Sequence, residues 1–571
     1  MSDTCARIPF RLRIGVTGHL ELHEVEALEA AVSSILDQLA AHFAVESTPV
    51  VYRAVSPLAE GADRLVAKTI LKREGADLVA PLPFPRERYL QDFASEDSRS
   101  EFMKLYAQAV FHTVVKEEAG VTDADRYRQG GESVVDHSDV LIALWDGLPP
   151  KGVGGTAAIV EYAHGGSLDG ETAVPSRLLP GRTRDSDRRR VRRIPVFVVR
   201  TDRHAEIEQS FDDRDWADVR AAFRALDHFN RFRPPRRSVQ RELSRNEREW
   251  QRVSVEALRG QPPGAPDGDR LEAIAGSLDG WLFPAFAKAD TGATSFRNRV
   301  LAIGVGTALL AAAAVAAAAA RAVFAPHASA YTWVEVAFMA IVVVGWVALT
   351  RQQANRRWVA LRALAELLRV MPYGALADQR HLAGGSDDEP PERHGLRPPI
   401  VQMEWYRRAA DELWQQRPRM RLVERDVLWL RALIVGRWIA GQIDYHTRRS
   451  HQHELWHYLL RGGAFAAFAA TAACAVSHAL GAGGHVTDFL TIALPALGGA
   501  LSYIEGHQEH GRQAERYRWT LSQLEDLRHR GEGAEHVVEL RLLARHMLEL
   551  MNAENADWAE AMWAQDIELA V

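Results

Sequence analysis

The segment DVLIALWDGLPPKGVGGTAAIVEYA, Asp139–Ala163, joins an apolar run to a glycine-rich loop and then to a stretch with helical spacing. An unbroken apolar run of this kind is typical of a strand that is buried on both faces of a parallel sheet. A strand, a glycine loop and a helix in that order predict one unit of an α/β domain.

The same alternation recurs along the first 200 residues. The apolar runs that we interpret as strands are separated by segments of helical periodicity; they are FRLRIGV, PVVYRAV, ADLVAPLPF, DVLIALWDG and RIPVFVVR. Runs of about four to eight apolar residues between helices indicate a parallel sheet with helices on both faces. Residues 1–200 are therefore predicted to form a Rossmann-like α/β domain.

The next segment, residues 201–298, is rich in charged residues and mostly helical in pattern, with a break at GQPPGAPDGD. We interpret it as a helical connector between the α/β domain and the rest of the chain. The alternative is an extra helical cap on the α/β domain. From residue 299 onward the predicted fold class is all-α.

Four apolar segments follow the connector, and each approaches the roughly 20 residues that cross the hydrocarbon core of a bilayer. They are Val300–Ala320, Tyr331–Thr350, Gly462–Leu480 and Val486–Ile504. Their spacing predicts two transmembrane hairpins. The first and third segments are rich in alanine, which is only weakly lipophilic, so buried helices of a soluble bundle are the alternative.

Arginines flank the two hairpins on one side. They precede the first and third segments and follow the second and fourth; they are Arg297, Arg299, Arg351, Arg356, Arg357, Arg448, Arg449, Arg461, Arg512, Arg516 and Arg518. The two connecting turns hold a single arginine between them. Because cationic loops stay in the cytoplasm, both chain ends of this multi-pass membrane protein are predicted to be cytoplasmic.

An amphipathic helix is predicted after each hairpin, from RRWVALRALAELLRV after the second apolar segment and ERYRWTLSQLEDLRH after the fourth. This likeness indicates a duplicated unit of one hairpin and one cytoplasmic helix. The predicted domains are residues 299–375 for the first such unit, 376–455 for a cytoplasmic helical linker, and 456–571 for the second hairpin with the C-terminal helices.

Composition excludes several classes of protein. The 571 residues carry a formal net charge of −6, without the basic excess of a nucleic-acid-binding protein. The basic run RTRDSDRRRVRR, Arg182–Arg193, is interpreted as a solvated loop, with contact to a lipid head group or an anionic ligand as the alternative. The two cysteines, Cys5 and Cys474, are far apart in the chain and provide neither a disulfide framework nor a zinc cluster. The amino terminus lacks the pattern of a signal peptide.

The motif RIGVTGHL places Gly15, Thr17, Gly18 and His19 directly after the first predicted strand. A loop and helix start at that position present backbone N–H groups to anions, and glycine lets the backbone approach a phosphate closely. The motif is neither the dinucleotide fingerprint nor a P-loop with its lysine. A tight turn without any ligand is the alternative.

The motif AVSPLAEGADRLVA follows the second predicted strand. It places Ser56, Glu60, Gly61, Asp63 and Arg64 where a second strand-to-helix turn would face the same crevice. Glu60 or Asp63 is suited to hold ribose hydroxyls, as carboxylates do in doubly wound folds. The alternative for Asp63 is a helix-capping role.

The loop that follows the strand DVLIALW completes the predicted site. Asp146 ends that strand, and Gly154, Gly155 and Thr156 stand at the start of the next helix. Three loops at the carboxyl ends of neighbouring parallel strands form the ligand crevice of an open α/β sheet. We therefore expect a small anionic ligand at these loops, and no metal ion.

The motifs RIGVTGH, SPLAEGADRLVA, LPFPRERYLQDF and SDVLIALWDG with GGTAAIVEYA resemble the SLOG superfamily, a Rossmann-like group, over about residues 10–200. The membrane half is similar to the two-span SLATT effectors found beside such domains. The segments that carry this second resemblance are FAKADTGATSFRNR, WVALRALAELLR and WIAGQIDYHTRRSHQHE.

The resemblance implies a sensor of nucleotides or ADP-ribose-like signals joined to a membrane-perturbing effector of bacterial anti-phage defence. Catalytic members of the superfamily, which cleave N-glycosidic bonds of nucleotides, carry P-G-G-x-G-T-x-x-E. Here Glu161 follows Thr156 by five residues, and on a helix this spacing turns the carboxylate away from the expected direction. Binding without turnover is therefore the favoured prediction.

Our leading hypothesis is a ligand-gated membrane effector that contacts membrane lipid and uses no resident cofactor. Four spans from one chain make only a narrow bundle, so a homo-oligomer is expected. A membrane-anchored hydrolase of a nucleotide or NAD-like substrate is the first alternative. A structural scaffold with a vestigial pocket is the second.

Overall fold

A computed structural model describes residues 7–115, 121–149, 155–165, 193–245, 248, 268–326, 329–377, 404–418 and 422–564. The chain divides into two compact units. The first unit contains Met1–Phe232, Ala383–Arg393 and Ile400–Glu412, and the second contains Arg233–Leu382, His394–Pro399 and Leu413–Val571.

The first unit is built on a seven-stranded sheet. Its strands are β1 (Phe10–Gly18), β2 (Val50–Val55), β3 (Asp77–Leu82), β4 (Phe111–Val114), β5 (Val140–Trp145), β6 (Val196–Arg200) and β7 (Ile207–Ser210). The strand order is β4-β3-β2-β1-β5-β6-β7, and every neighbouring pair is parallel except β6 and β7. The predicted parallel sheet is confirmed, and the direction of winding reverses between β1 and β5.

Seven α-helices accompany the described strands of this unit before residue 232. They are α1 (Val25–His42), α2 (Ala62–Leu71), α3 (Arg86–Tyr89), α4 (Glu96–Gln108), α5 (Asp123–Asp136), α6 (Thr156–Ala163) and α7 (Ala217–Arg231). Strand residues such as Ile14, Leu141 and Ile142 are fully buried. Their unbroken apolar runs reflect a sheet that is shielded from water on both faces.

The first unit continues past the predicted boundary at residue 200. Strand β7 and helix α7 lie in the segment that was predicted to be a helical connector. Asn230 of α7 is buried, accepts a hydrogen bond from the backbone N–H of Ile8 at 3.1 Å and donates to its carbonyl oxygen at 2.8 Å. For α7 the structure therefore matches the alternative interpretation, an addition to the α/β domain.

A buried ion network lies at the amino end of β5. The carboxylate of Asp139 is fully buried and accepts hydrogen bonds from Arg13 Nη2 at 2.7 Å and from both terminal nitrogens of Arg408 at 2.5 and 2.7 Å. Glu404 Oε1 accepts from the same two arginines at 2.7 and 2.8 Å. Two cations and two carboxylates balance one another, as a buried charge requires.

Arg408 and Glu404 belong to helix α11 (Glu404–Gln415), far along the chain from the sheet that they contact. A second bidentate pair extends the contact, because Arg11 of β1 donates to both carboxylate oxygens of Glu412 at 2.6 and 2.8 Å. Residues 404–412 thereby complete the α/β unit at the amino edge of its sheet.

We predict that Asp139→Asn destabilises the α/β unit by about 3 kcal/mol, because the amide NH₂ would face the donors of the buried Arg408 and the half-buried Arg13. In a domain of this size such a loss lowers the midpoint of thermal unfolding by roughly 6–12 °C. Asp37→Asn is the control, since that carboxylate pairs with Arg73 on the exposed surface and its loss is worth less than about 1 kcal/mol. Equal midpoints for the two variants would contradict the importance of the network.

In its described part the second unit consists of helices joined by turns. Besides a helical stretch at residues 236–245, its helices are α8 (Gly268–Phe324), α9 (Ser329–Gln352), α10 (Ala354–Ala377), α12 (Val427–Arg431), α13 (Ala440–Ala479), α14 (His485–Gln508), α15 (His510–Glu532) and α16 (Val537–Ala564), with a π-helical segment at Ala432–Ile439. Gln353 and Glu509, the residues that separate α9 from α10 and α14 from α15, both have left-handed backbone conformations. This repeated feature agrees with a duplicated unit of hairpin and helix.

Four helical stretches are long and apolar enough to cross a membrane, as predicted. They are Gly280–Phe324, Ala330–Ala348, Glu424–Ala479 and His485–Glu532. Within this unit α8 packs on α9 and α14, and α14 packs on α13. A small core of Ala308, Leu460, Ala500 and Ile504 lies among them.

Few residues of these helices are fully buried by the chain. In the most apolar window of each stretch, 17% or less of the residues are buried, and in the second stretch only 6%. Helices at the centre of a water-soluble bundle would be largely buried. This low burial argues against the soluble-bundle alternative and agrees with a membrane protein.

Candidate functional site

Three loops meet at the carboxyl ends of β1, β2 and β5, as the motifs predict. The backbone N–H of His19 donates to the carbonyl oxygen of Leu144 in β5 at 3.1 Å, and the carbonyl oxygen of His19 accepts from the N–H of Ala62 at 3.0 Å. The His19 Nε2 atom lies 3.2 Å from the backbone nitrogen of Asp146 and 3.3 Å from its carboxylate. His19 therefore stands at the junction of all three loops, where the winding of the sheet reverses and ligands of open α/β sheets bind.

Two glycines allow these loops to approach so closely. A Cβ atom on Gly18 would lie 2.4 Å from the side chain of Ala62 and 2.7 Å from the carbonyl oxygen of Leu144. Gly61 has a φ of +73°, and a Cβ atom there would lie 2.2 Å from the carbonyl oxygen of Leu20. Close packing of loop on loop explains both glycines without a ligand.

Three residues of the first motif lie elsewhere than predicted. Gly15, Thr17 and Gly18 are inside β1 rather than after it, because Gly18 is the last residue of the strand. A Cβ atom on Gly15 would lie 2.4 Å from the hydroxyl of Ser138 and 3.0 Å from Val134. Gly15 is therefore needed where the strand packs against the end of α5.

The second loop is held by its own polar side chains. The hydroxyl of Ser56 is buried, accepts from the N–H of Leu58 at 3.1 Å and donates to the carbonyl oxygen of Asp63 at 3.2 Å. The carboxylate of Asp63 accepts from the N–H of Ala59 at 3.3 Å. Burial raises the pKa of Asp63 to about 7, against the opposing effects of this hydrogen bond and of Arg64. Asp63 fastens the loop to the first turn of α2, a role close to the capping alternative.

Arg64 joins α2 to α4 inside the unit. Its guanidinium donates to the carbonyl oxygen of Leu58 at 3.0 Å, to the hydroxyl of Ser98 at 2.8 Å and to Glu101 at 3.1 Å, and it lies 4.6 Å from the centre of the Phe93 ring. The side chain is buried, yet its Nη2 atom has no hydrogen-bond partner. A ligand acceptor at this atom would remove the energetic cost of an unpaired buried donor.

A groove of about 870 Å³ runs from this loop between α2 and α4. Its charged lining residues are Glu60, Arg64, Lys68, Lys72, Asp97, Glu101 and Lys104. Glu60 accepts a hydrogen bond from the hydroxyl of Ser98. The mixture of four cations and three carboxylates suits a ligand that carries both phosphate and hydroxyl groups.

A second cavity, of about 700 Å³, lies beside the third loop, where β5 and β6 end and α6 begins. Trp145 forms one wall, and its indole N–H donates to the carbonyl oxygen of Leu148 at 3.1 Å. Glu161 of α6, His164 directly after that helix and Glu208 of β7 also line it. A fixed aromatic ring beside carboxylates can stack on a base and accept from ribose hydroxyls.

The remaining predicted residues of the third loop are described in part. Asp146 Oδ1 accepts from the N–H of Leu148 at 3.0 Å, which turns the chain after β5. Gly155 precedes α6, and Thr156 is its first residue. Gly154 lies outside the described residues. Sequence reasoning missed the cavity beside Trp145, although an aromatic residue at the end of a strand was a usable signal.

Among the described residues, no group of three or more histidine, cysteine, aspartate or glutamate side chains is arranged to hold a metal ion. A scan of protein-family models finds no family that matches this chain. A search of curated proteins likewise finds no match. The resemblance to SLOG and SLATT proteins therefore stays a prediction from residue patterns.

We predict that Asp63→Asn changes how stability depends on pH. The folded protein, with a pKa of about 7 at Asp63, holds this proton more tightly than the unfolded chain, whose aspartate has a pKa of about 3.9. The contribution of Asp63 to the free energy of unfolding is therefore fully present below about pH 4 and is lost as pH rises to about 7. Above pH 7 the variant should be more stable than the wild type by up to about 4 kcal/mol.

Thermal unfolding of the detergent-solubilised protein between pH 5 and 8 measures this effect. Asp97→Asn serves as the control, because that side chain is exposed. The difference between wild type and Asp63→Asn should grow with pH, while the difference for the control should stay flat. A difference that stays flat over this range would mean that Asp63 is ionised throughout.

Proposed function

We propose that this protein is a ligand-gated membrane effector. Its α/β domain would bind a nucleotide-derived signal, such as an ADP-ribose-like molecule or a cyclic nucleotide. Its apolar helices would then form a pore or disrupt the bilayer of a bacterial cell as a defence against phage. The observation that carries the proposal is one chain with both a three-loop junction at the sheet reversal and four long apolar helices in which few residues are fully buried.

The two cavities support an extended ligand. The groove reaches Gly61, and the second cavity reaches Gly147. Between them His19 contacts the start of α2 on one side and Asp146 on the other. A nucleotide could place its base and ribose beside Trp145 and its phosphates near the loops and the cations of the groove. This assignment accounts for the polar lining of both cavities.

Strand β5 offers a route from ligand to membrane. Its carboxyl end carries the loop of Asp146, and its amino end is preceded by Asp139, which Arg408 contacts. Helix α11 begins in the first unit with Glu404 and ends in the second unit with Gln415. A ligand that binds one state of this strand and helix more tightly than the other would shift the equilibrium between them.

We predict that Thr156→Arg abolishes the response to ligand and leaves membrane insertion unchanged, because a large side chain at the start of α6 would block the loop. The measurement is dye release from liposomes that contain the full-length protein, with added candidate nucleotides. Gln91→Arg, on an exposed turn of the same unit, is the matched control and should respond like the wild type. A normal response of Thr156→Arg would show that the ligand binds elsewhere.

A second candidate function, hydrolysis of a nucleotide N-glycosidic bond, is favoured by one observation. Glu161 lines the cavity beside Trp145, together with His164. If the protein is an enzyme, purified full-length protein should release free base from a nucleotide, and Glu161→Gln should lower the rate by at least about 100-fold, the contribution of a general acid or base. The effector proposal expects no turnover in either protein.

A further inference from the structure

Arginines from three helices of the second unit meet where the apolar stretches begin. Arg299 of α8 and Arg357 of α10 lie over the same buried ring, that of Phe296, at 5.6 and 6.0 Å from its centre. Arg297 of α8 is half-buried, and the charge of Arg449 of α13 acts on it. We call these four residues, Arg297, Arg299, Arg357 and Arg449, the arginine cluster.

The arginine cluster has no paired carboxylates among the described residues, unlike the layer of arginines next to it. One layer further from the apolar stretches, Arg362 and Arg369 each lie 3.5 Å from Asp290, and both also pair with Glu366. That layer has two cations and two carboxylates. Within the described part of the chain, no member of the arginine cluster forms an ion pair with a carboxylate. Asp290 of the neighbouring layer partly offsets the charge of Arg297. The cluster still has an excess of positive charge, which an anion would stabilise.

The depth of the cluster follows from the helix geometry. Ala308 of α8 and Leu460 of α13 lie in the same small core. Arg297 precedes Ala308, and Arg449 precedes Leu460, by the same interval of about three helical turns, or roughly 16 Å. The two arginines therefore lie in one layer, on the same side of that core.

Exposed apolar and aromatic side chains begin about two turns beyond Arg449, roughly 9 Å along α13. They are Leu455, Trp456, Tyr458 and Leu459. Tryptophan and tyrosine are enriched at the boundary between hydrocarbon and head groups. The head-group region extends about 5–8 Å beyond the hydrocarbon core on each side. An arginine layer at this distance lies at the outer edge of the head-group region, and the long arginine side chains can reach the lipid phosphates from there.

We propose that the arginine cluster binds the phosphate group of an anionic phospholipid. The proposal rests on the membrane insertion that is part of the proposed function. Guanidinium groups bind phosphate oxygens through charge-assisted hydrogen bonds, and the adjoining apolar surface of α13 would hold the acyl chains. A bound lipid would neutralise the repulsion among the arginines and so hold α8, α10 and α13 together.

Native mass spectrometry of the full-length protein tests this proposal. The protein is placed in nanodiscs of phosphatidylcholine with or without phosphatidylglycerol, and retained lipid is measured. Arg297→Gln/Arg449→Gln should bind phosphatidylglycerol about 30-fold more weakly than the wild type, at about 1 kcal/mol per arginine. Arg528→Gln/Arg530→Gln, which removes two exposed arginines of α15, is the matched control and should bind it normally.

Three further measurements decide between explanations. Arg297→Lys/Arg449→Lys keeps the charge and should retain most of the binding, which separates loss of charge from loss of fold. Equal retention of phosphatidylglycerol by the wild type and the glutamine variant would overturn the proposal. Displacement of the lipid by millimolar inorganic phosphate would assign the cluster to a soluble anion instead. Resistance of the wild type to carbonate extraction from neutral vesicles is measured separately, and its absence would overturn the membrane function itself.

Discussion

The fully buried carboxylate of Asp139 constrains the rest of the α/β unit. A buried charge is tolerated only when opposite charges and hydrogen bonds surround it, and Arg13 and Arg408 provide them. Arg13 belongs to the central strand β1, and Arg408 to a helix that the chain reaches far later. The network therefore fixes helix α11 at the amino edge of the sheet, while the loops that could bind a ligand lie at the carboxyl edge.

The carboxyl edge owes its geometry to the reversal of the sheet between β1 and β5. There His19 contacts the loops of both neighbouring strands, and Gly18 and Gly61 permit an approach that any side chain would prevent. Several residues that were predicted to bind a ligand instead stabilise these loops. Ser56, Asp63 and Arg64 are all buried and hold the second loop in place. Polar side chains that a ligand can reach lie beside them, in the groove along α2 and in the cavity beside Trp145.

In the first unit the apolar strands are buried, whereas in the second unit the most apolar helices are not. Its apolar helices pack on one another through a small core, and few of their residues are fully buried by the chain. A second, larger core lies elsewhere in the unit, and in it Trp429 and Leu433, at the start of the stretch Glu424–Ala479, are fully buried with Leu540. One unit thus combines a well-buried helical core with apolar helices suited to lipid, and the arginine cluster lies between them.

Local patterns in the sequence determined the parallel sheet, the four apolar helices, the repeated hairpin and the meeting of three loops, because each depends on periodicity or on the rule that parallel strands end at one edge. The four-residue strands β4 and β7 and the place of α7 were missed, since short strands and a helix docked through Asn230 leave little periodic signal. Only the tertiary structure revealed the pairing of Asp139 with Arg408, the position of Gly15 inside β1 and the cavity that Glu161 lines. Burial and contact between distant parts of a chain decide such features, and no run of neighbouring residues encodes them.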